Sequence, residues 1–149
     1  MLTVVEKVMA LQGVDSFSEV PTEELSYLAM VADEVEIQPG ETIYGESDVS
    51  DAMYLVLEGR VRLHRGSMDV SVASDSEAFG TWALFDDEPR LTSATTTAHS
   101  RLLRIRKEAF IDLLADHVQI TQGVLKGMVR RLRGLVGRMN TETSTRQRA

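Results

Sequence analysis

Between residues 35 and 106 the chain is cut into short apolar runs by turn residues. Val35 and Ile37 alternate with charges, Pro39-Gly40 breaks the run, and Met53-Tyr54-Leu55-Val56-Leu57 follows, closed by Glu58-Gly59. Val61 and Leu63 alternate with Arg60, Arg62 and His64; Val70, Val72 and Ala73 come after Gly66; Thr92 to Thr97 is rich in β-branched residues; Leu102, Leu103 and Ile105 form the last run. Successive strand side chains point to opposite faces, so an alternating run buries one face and a continuous apolar run buries both. Short strands at intervals of about 8–12 residues, with turn signals between them, predict a jelly roll or barrel.

Helical spacing brackets this region. Val4, Val5, Val8, Met9 and Leu11 recur at helix period, and Thr22 is the expected N-cap of a second helix carrying Leu25, Leu28, Ala29 and Val31, with Ser16 and Val20 in a polar turn between the two. Phe110, Leu113 and Leu114 mark a short amphipathic helix, and a longer one is expected from about Val118 to Met139. The expected organisation is one domain: N-terminal helices over 1–34, the β region over 35–106, C-terminal helices over 107–139 and a flexible tail over 140–149, which lacks apolar anchors.

With 149 residues, 43% of them hydrophobic, the chain can bury a core of its own. No apolar run is long enough for a membrane span, and Met1 to Ala10, with Glu6 and Lys7, does not have the layout of a signal peptide. The absence of cysteine rules out disulfides and thiolate metal sites, and a cytoplasmic setting is expected. His64, His99 and His117 have no metal-ligand spacing, and no nucleophile elbow, Walker loop or G-x-G-x-x-G occurs. Asp86-Asp87-Glu88 reads as a solvated loop tip, so no residue set supports an enzyme.

The net charge of −7 is unevenly spread. Residues 1–125 carry nine Lys and Arg against 22 Asp and Glu, hence −13, whereas residues 126–149 carry seven against one, hence +6. A basic last helix that docks on an acidic body accounts for this; contact with nucleic acid, an acidic lipid surface or a partner is the alternative.

The segment from Phe79 to Ala94 carries the chemistry. A glycine, Gly80, precedes a single helical turn, then come an acidic loop, Pro89, Arg90 and a strand. A helix start offers backbone N–H groups without intrahelical acceptors, Gly80 allows close approach of an anion, and Arg90 can clamp a phosphate with two parallel hydrogen bonds. Pairing of Arg90 with nearby carboxylates in a plain surface loop fits the same residues.

Phe79, Gly80, Ala83, Leu84, Pro89, Arg90 and Ser93 resemble the phosphate-binding cassette of the cyclic nucleotide-binding family, as in protein kinase A regulatory subunits and catabolite activator proteins. Ile43-Tyr44, Asp48, Asp51-Ala52-Met53-Tyr54-Leu55 and Glu58-Gly59-Arg60-Val61 also resemble the family, and the likeness extends over about residues 10–138. It implies a mainly β fold with flanking helices, a double-stranded β-helix or jelly roll, with the cassette at 79–93. It further implies a ring phosphate on the N–H groups of Gly80, Thr81, Trp82 and Ala83 and of Leu91, with Arg90 supplying the guanidinium. The implied ligand is cAMP, with cGMP less favoured, and no cofactor or metal is expected.

Several positions depart from the family. Thr81 stands where a glutamate accepts the ribose 2′-OH; a charge-assisted bond of that kind is worth about 1.5–3 kcal/mol, or roughly 10- to 150-fold in affinity. Trp82 replaces an aliphatic residue and either fills part of the pocket or packs in the core. Ser47, Ser50 and Ser76 replace glycines, at about 1 kcal/mol each wherever φ is positive.

In the last helix Leu125, Met128, Leu132, Leu135 and Met139 are spaced 3, 4, 3, 4, a heptad seam that Val129 and Val136 widen. The family likeness implies that this helix covers the ligand and pairs two subunits; packing on its own β-roll is the other reading. Gly123, Gly127, Gly134 and Gly137 each weaken the helix by about 1 kcal/mol relative to alanine. Ten residues follow Met139, too few for a helix-turn-helix, so no DNA-binding module is expected here. Residues Leu2 to Lys7 and the β-roll resemble domains appended to larger bacterial proteins, which makes a host protein or partner domain an expectation. Two functions are open: a regulatory sensor that binds cAMP and moves its C-terminal helices, or a module of the same fold that has lost the ligand and works by dimerisation.

Overall fold

The structure, a computed structural model, describes the backbone of residues 1–148 and the side chains of residues 1–139. The tail expected at 140–149 therefore falls outside the fully described residues.

Among the described residues eight strands form two four-stranded antiparallel sheets. They are β1 (Asp33–Ile37), β2 (Thr42–Tyr44), β3 (Ala52–Glu58), β4 (Val61–Arg65), β5 (Met68–Ala73), β6 (Ala78–Phe79), β7 (Ser93–Thr96) and β8 (Ser100–Arg106). One sheet runs β1-β8-β3-β6 and the other β2-β7-β4-β5, so apart from the β4–β5 hairpin each strand passes to the opposite layer from the one before it, which makes the β region a jelly roll flanked by helices. Alternation along β3 builds two cores from one strand. Ala52, Tyr54 and Val56 point between the sheets with Val61, Ala73, Phe79, Ala94 and Leu102. Met53 and Leu55, with Leu103 and Ile105 of β8, face the helices. Both faces of β3 are buried, hence its unbroken apolar run.

The helices cover the outer face of the first sheet. They are α1 (Val4–Gln12), α2 (Thr22–Val31), α3 (Lys107–Asp116) and α4 (Val118–Arg148), with short 3-10 turns at Asp15–Phe17 and Thr81–Leu84. A reciprocal capping box starts α1: Glu6 N–H donates to Thr3 Oγ1 and Thr3 N–H donates to Glu6 Oε1, both at 3.2 Å. Thr22 does not cap α2. Pro21, extended at ψ 143°, is the N-cap, and its carbonyl accepts from Glu24 and Leu25. Thr22 becomes the first helical residue and accepts from Gln12 Nε2 at 2.9 Å.

The turn holding Ser16 and Val20 is not a polar surface turn: both residues are buried, with Phe17 fully so. The reason lies in α4. A Cβ on Gly123 would come within 2.7 Å of Val20 Cα and 2.9 Å of the Glu19 carbonyl, so the helix backbone lies directly on this turn. Gly127, one turn on, is also buried, whereas a Cβ on Gly134 or Gly137 would meet no close contact. Ile120 and Val124 of α4 complete the same core.

Candidate functional site

Phe79 ends β6 opposite Tyr54 and stacks on it, 5.2 Å between ring centroids. Gly80 then turns the chain at φ 69°, ψ 19° into the short 3-10 turn, whose Ala83 and Leu84 are buried and anchor it to the core. The leading N–H groups of such a turn have no acceptor within it. A Cβ at Gly80 would lie 2.6 Å from Arg90 Nη1 and 3.4 Å from the Tyr44 hydroxyl, so only glycine fits between them.

Arg90 is the centre of this arrangement. Its side chain is 4% exposed. Nη2 donates to the Ala52 carbonyl at 2.6 Å and Nη1 to the Gly80 carbonyl at 3.3 Å, while Nε is buried and has no hydrogen-bond partner. The guanidinium lies 3.9 Å above the Tyr44 ring, a cation–π contact. Burial raises the Tyr44 pKa, with Arg90 pulling the other way, so the ring stays neutral at physiological pH. The Asp51 carboxylate is the nearby anion, 3.7 Å from Nη2 and itself 79% exposed. A buried cation costs several kcal/mol unless an anion and hydrogen bonds compensate it. Two carbonyls, one ring face and one well-solvated carboxylate do so only in part. This pocket of positive charge, with an orphaned donor, is chemically suited to an anion.

The β2–β3 loop is locked to the same arginine. Ser47 N–H donates to the Arg90 carbonyl and Arg90 N–H to the Asp48 carbonyl, both at 2.9 Å, while the Asp48 carboxylate caps Gly45 N–H at 2.8 Å. Ser47 takes φ 67° and Ser76 φ 70°, so two of the three serines do occupy left-handed positions; Ser50 does not.

The other expected site residues are spread more widely. Thr81 is half-buried and lines a cleft of about 330 Å³ with Asp15, Ser76, Glu77 and Arg131 of α4. Trp82 is 66% exposed and lies outside the core, which corrects the core-packing reading; the 3-10 turn points buried Ala83 and Leu84 inward instead. Leu91 is exposed, and its carbonyl accepts from Arg65 Nε at 3.1 Å. A larger cleft of about 730 Å³ is lined by Asp51, Tyr54, Asp87, Arg104, Lys107 and Ile111 among others, and neither Arg90 nor the Gly80 turn lines it. The roles of Tyr44, Asp51 and Arg131 were not legible in the chain; the first two were visible only as part of the family likeness.

On α4, Leu125, Leu132, Leu135 and Met139 are exposed with Val129 and Val136, and Met128 is the member of the seam packed on the core. The stripe therefore does not pack on its own β-roll. Between α4 and the acidic body the described residues show one ion pair, Arg130 with Glu19.

Two antiparallel sheets rolled together, with helices at both ends, define a β-roll domain, and it holds a buried arginine beside a glycine-led turn. The chain belongs to the cyclic nucleotide-binding domain family, whose model matches residues 34–117. The CRP-like cAMP-activated global transcriptional regulator of Mycobacterium tuberculosis is 27% identical over 133 residues, covering 86% of this chain and 58% of the regulator. This chain thus corresponds to a part of that protein. The cAMP-dependent protein kinase regulatory subunit of Dictyostelium discoideum is 29% identical over 113 residues, 70% of this chain and 33% of the subunit. The crystal structure of the N-terminal domain of a transcriptional regulator from Streptomyces coelicolor A3(2) superposes with a TM-score of 0.80 at 29% identity, covering 87% of this chain and 94% of that one. Among the described residues no helix is long and apolar enough to cross a membrane.

Proposed function

We propose that this domain is a cytoplasmic, non-enzymatic regulatory sensor that binds cAMP, in preference to cGMP, and converts occupancy into movement of its C-terminal helices within a larger host protein or complex. The observation that carries this reading is the Arg90 guanidinium: buried, short of a full counter-charge, with Nε unpartnered beside the Gly80 turn. A cyclic phosphate would take Nε and the remaining Arg90 donor capacity together with the N–H groups of the turn and of Leu91. The names of the related regulator and kinase subunit support cAMP as the ligand.

Calorimetric titration with cAMP, with cGMP and 5′-AMP as controls, tests it. Saturable cAMP binding is expected, together with a gain in stability of about 2.7 kcal/mol at a hundredfold excess over Kd. Arg90→Ala should abolish binding; unchanged affinity in that variant overturns the assignment.

Thr81 and the exposed Leu125, Leu132 and Leu135 on α4 favour a second reading, a module of this fold that no longer binds a nucleotide and acts by pairing with a second copy. Heat flat to millimolar cAMP would select it.

A further inference from the structure

We propose that Lys107 is the residue that carries the state of the Arg90 site to the C-terminal helices. The inference rests on the sensor reading above and names the structural link that reading requires.

Lys107 is the first residue of α3 and follows directly on β8. No side chain caps this helix, and the Lys107 N–H instead donates to the Asp51 carbonyl at 2.8 Å. Its side chain, 18% exposed, reaches the other way: Nζ donates to the Asp86 carbonyl and pairs with the Asp87 carboxylate at 2.5 Å. The Asp87 carboxyl is held below the usual range by this contact. Asp51 and Ala52 are the residues that hold Arg90 Nη2, and Asp86 and Asp87 lie in the loop that joins the Gly80 turn to Arg90. Both segments flanking the guanidinium therefore end on one residue, and that residue begins the helix pair.

An anion that recruits Nε must redistribute Nη2 between the Ala52 carbonyl and the Asp51 carboxylate. A shift of residues 51–52 reaches α3 through the Asp51 carbonyl; a shift of the acidic loop reaches it through Nζ. The chain bends into α4 at His117, where the imidazole stacks on Tyr27 of α2 at 4.1 Å and lies 3.7 Å from the Glu24 carboxylate, so displacement of α3 is felt by the rest of the helical layer. The edge contact of Phe85 with Phe110, 5.6 Å between centroids, is the apolar part of the same joint and is left in place when only Lys107 is changed.

The two arms can be cut separately. Lys107→Met removes the Nζ contacts and keeps the N–H. Lys107→Pro removes both, and proline suits this position: it is the first in the helix, where the N–H has no intrahelical role, and Arg106 before it is extended at φ −75°, ψ 138°. The chain has one tryptophan, Trp82, inside the cassette, and no cysteine. An acceptor dye on Arg133→Cys, an exposed position of α4, then reports energy transfer from Trp82.

In the labelled full chain, saturation with cAMP should change the transfer. Lys107→Met and Lys107→Pro should still bind cAMP, within about tenfold of the parent, the scale of an ordinary coupling free energy. They should lose most of the transfer change, the proline variant more completely, and Lys107→Arg should restore it. A full transfer change in both variants overturns the relay while leaving the sensor reading intact. Loss of cAMP binding in a Lys107→Met protein that keeps its circular dichroism spectrum also overturns it, since Lys107 would then belong to the site itself. Absence of cAMP binding in the parent, seen by calorimetry before any transfer is read, removes the sensor reading and this inference together.

Discussion

The Asp51 carboxylate stands 3.7 Å from Nη2 of Arg90, yet the two side chains sit in opposite environments, 79% and 4% exposed. Water screens an exposed carboxylate, so it neutralises its partner weakly. On the sensor reading, the Arg90 charge is then only weakly compensated by Asp51, and Asp51 is the anion a ligand phosphate would compete with.

Asp51→Asn removes the competitor and retains the backbone carbonyl that Lys107 uses. A unit charge at about 4 Å in water is worth ~1 kcal/mol, so cAMP affinity should rise about fivefold, less at high salt. Titrations at two ionic strengths check this. Weaker binding would mean that Asp51 orients the guanidinium instead of opposing the ligand.

Thr81→Glu supplies the carboxylate that the family resemblance implies for the ribose hydroxyl. If Arg90 and the Gly80 turn already seat the phosphate, cAMP affinity should rise by about tenfold or more, the value of one charge-assisted hydrogen bond. No gain would point to the wall formed by Glu77, Asp15 and Arg131 as the obstacle, because Thr81 lines their cleft.

Ser76 and Ser47 hold left-handed backbone at φ 70° and 67°. A side chain there costs about 1–2 kcal/mol, offset in part by the greater unfolded-state freedom of glycine. Ser76→Gly should raise stability by about 1 kcal/mol, read as a higher denaturant midpoint at unchanged slope. Ser47→Gly should do the same and loosen the loop bonded to the Arg90 backbone, so its effect on ligand affinity is the comparison of interest. Gly80→Ala should fail in both respects, since its Cβ would meet Arg90 Nη1 at 2.6 Å.

Leu132→Glu places a charge in the exposed stripe of α4 without touching the described core. If two copies pair through this stripe, sedimentation should show a dimer for the parent and a monomer for the variant, with unchanged thermal stability at high dilution. A monomeric parent at all concentrations removes the pairing.

What the chain disclosed in advance was whatever depends on neighbours in sequence or on face periodicity. The unbroken run of β3 announced a strand buried on both sides, and the interval from Gly80 to Arg90 announced a glycine turn followed by a cation. What it hid depends on distant contacts. Tyr44 comes to lie under Arg90 because β2 pairs with β7, Tyr44 opposite Ala94. The turn around Ser16 and Val20 looks polar by composition and is buried where Gly123 and Gly127 of α4 and Phe110 of α3 arrive from about a hundred residues away. The helix α2 starts one residue earlier than the Thr22 cap suggested by the sequence implies, because the Pro21 carbonyl accepts the first helical bonds and no side chain caps the turn.

The contact of Gly123 with Val20 divides the molecule mechanically. Where a helix glycine lies this close to the Val20 backbone and its short branched side chain, sliding has little soft layer to absorb it, which ties the opening turns of α4 to the segment joining α1 to α2. On the sensor reading proposed above, the domain is then expected to act as a lever with two loads on one arm, a push delivered at the head of α3 displacing both the front and the rear of the chain. A host protein could be governed from either end by the same small movement.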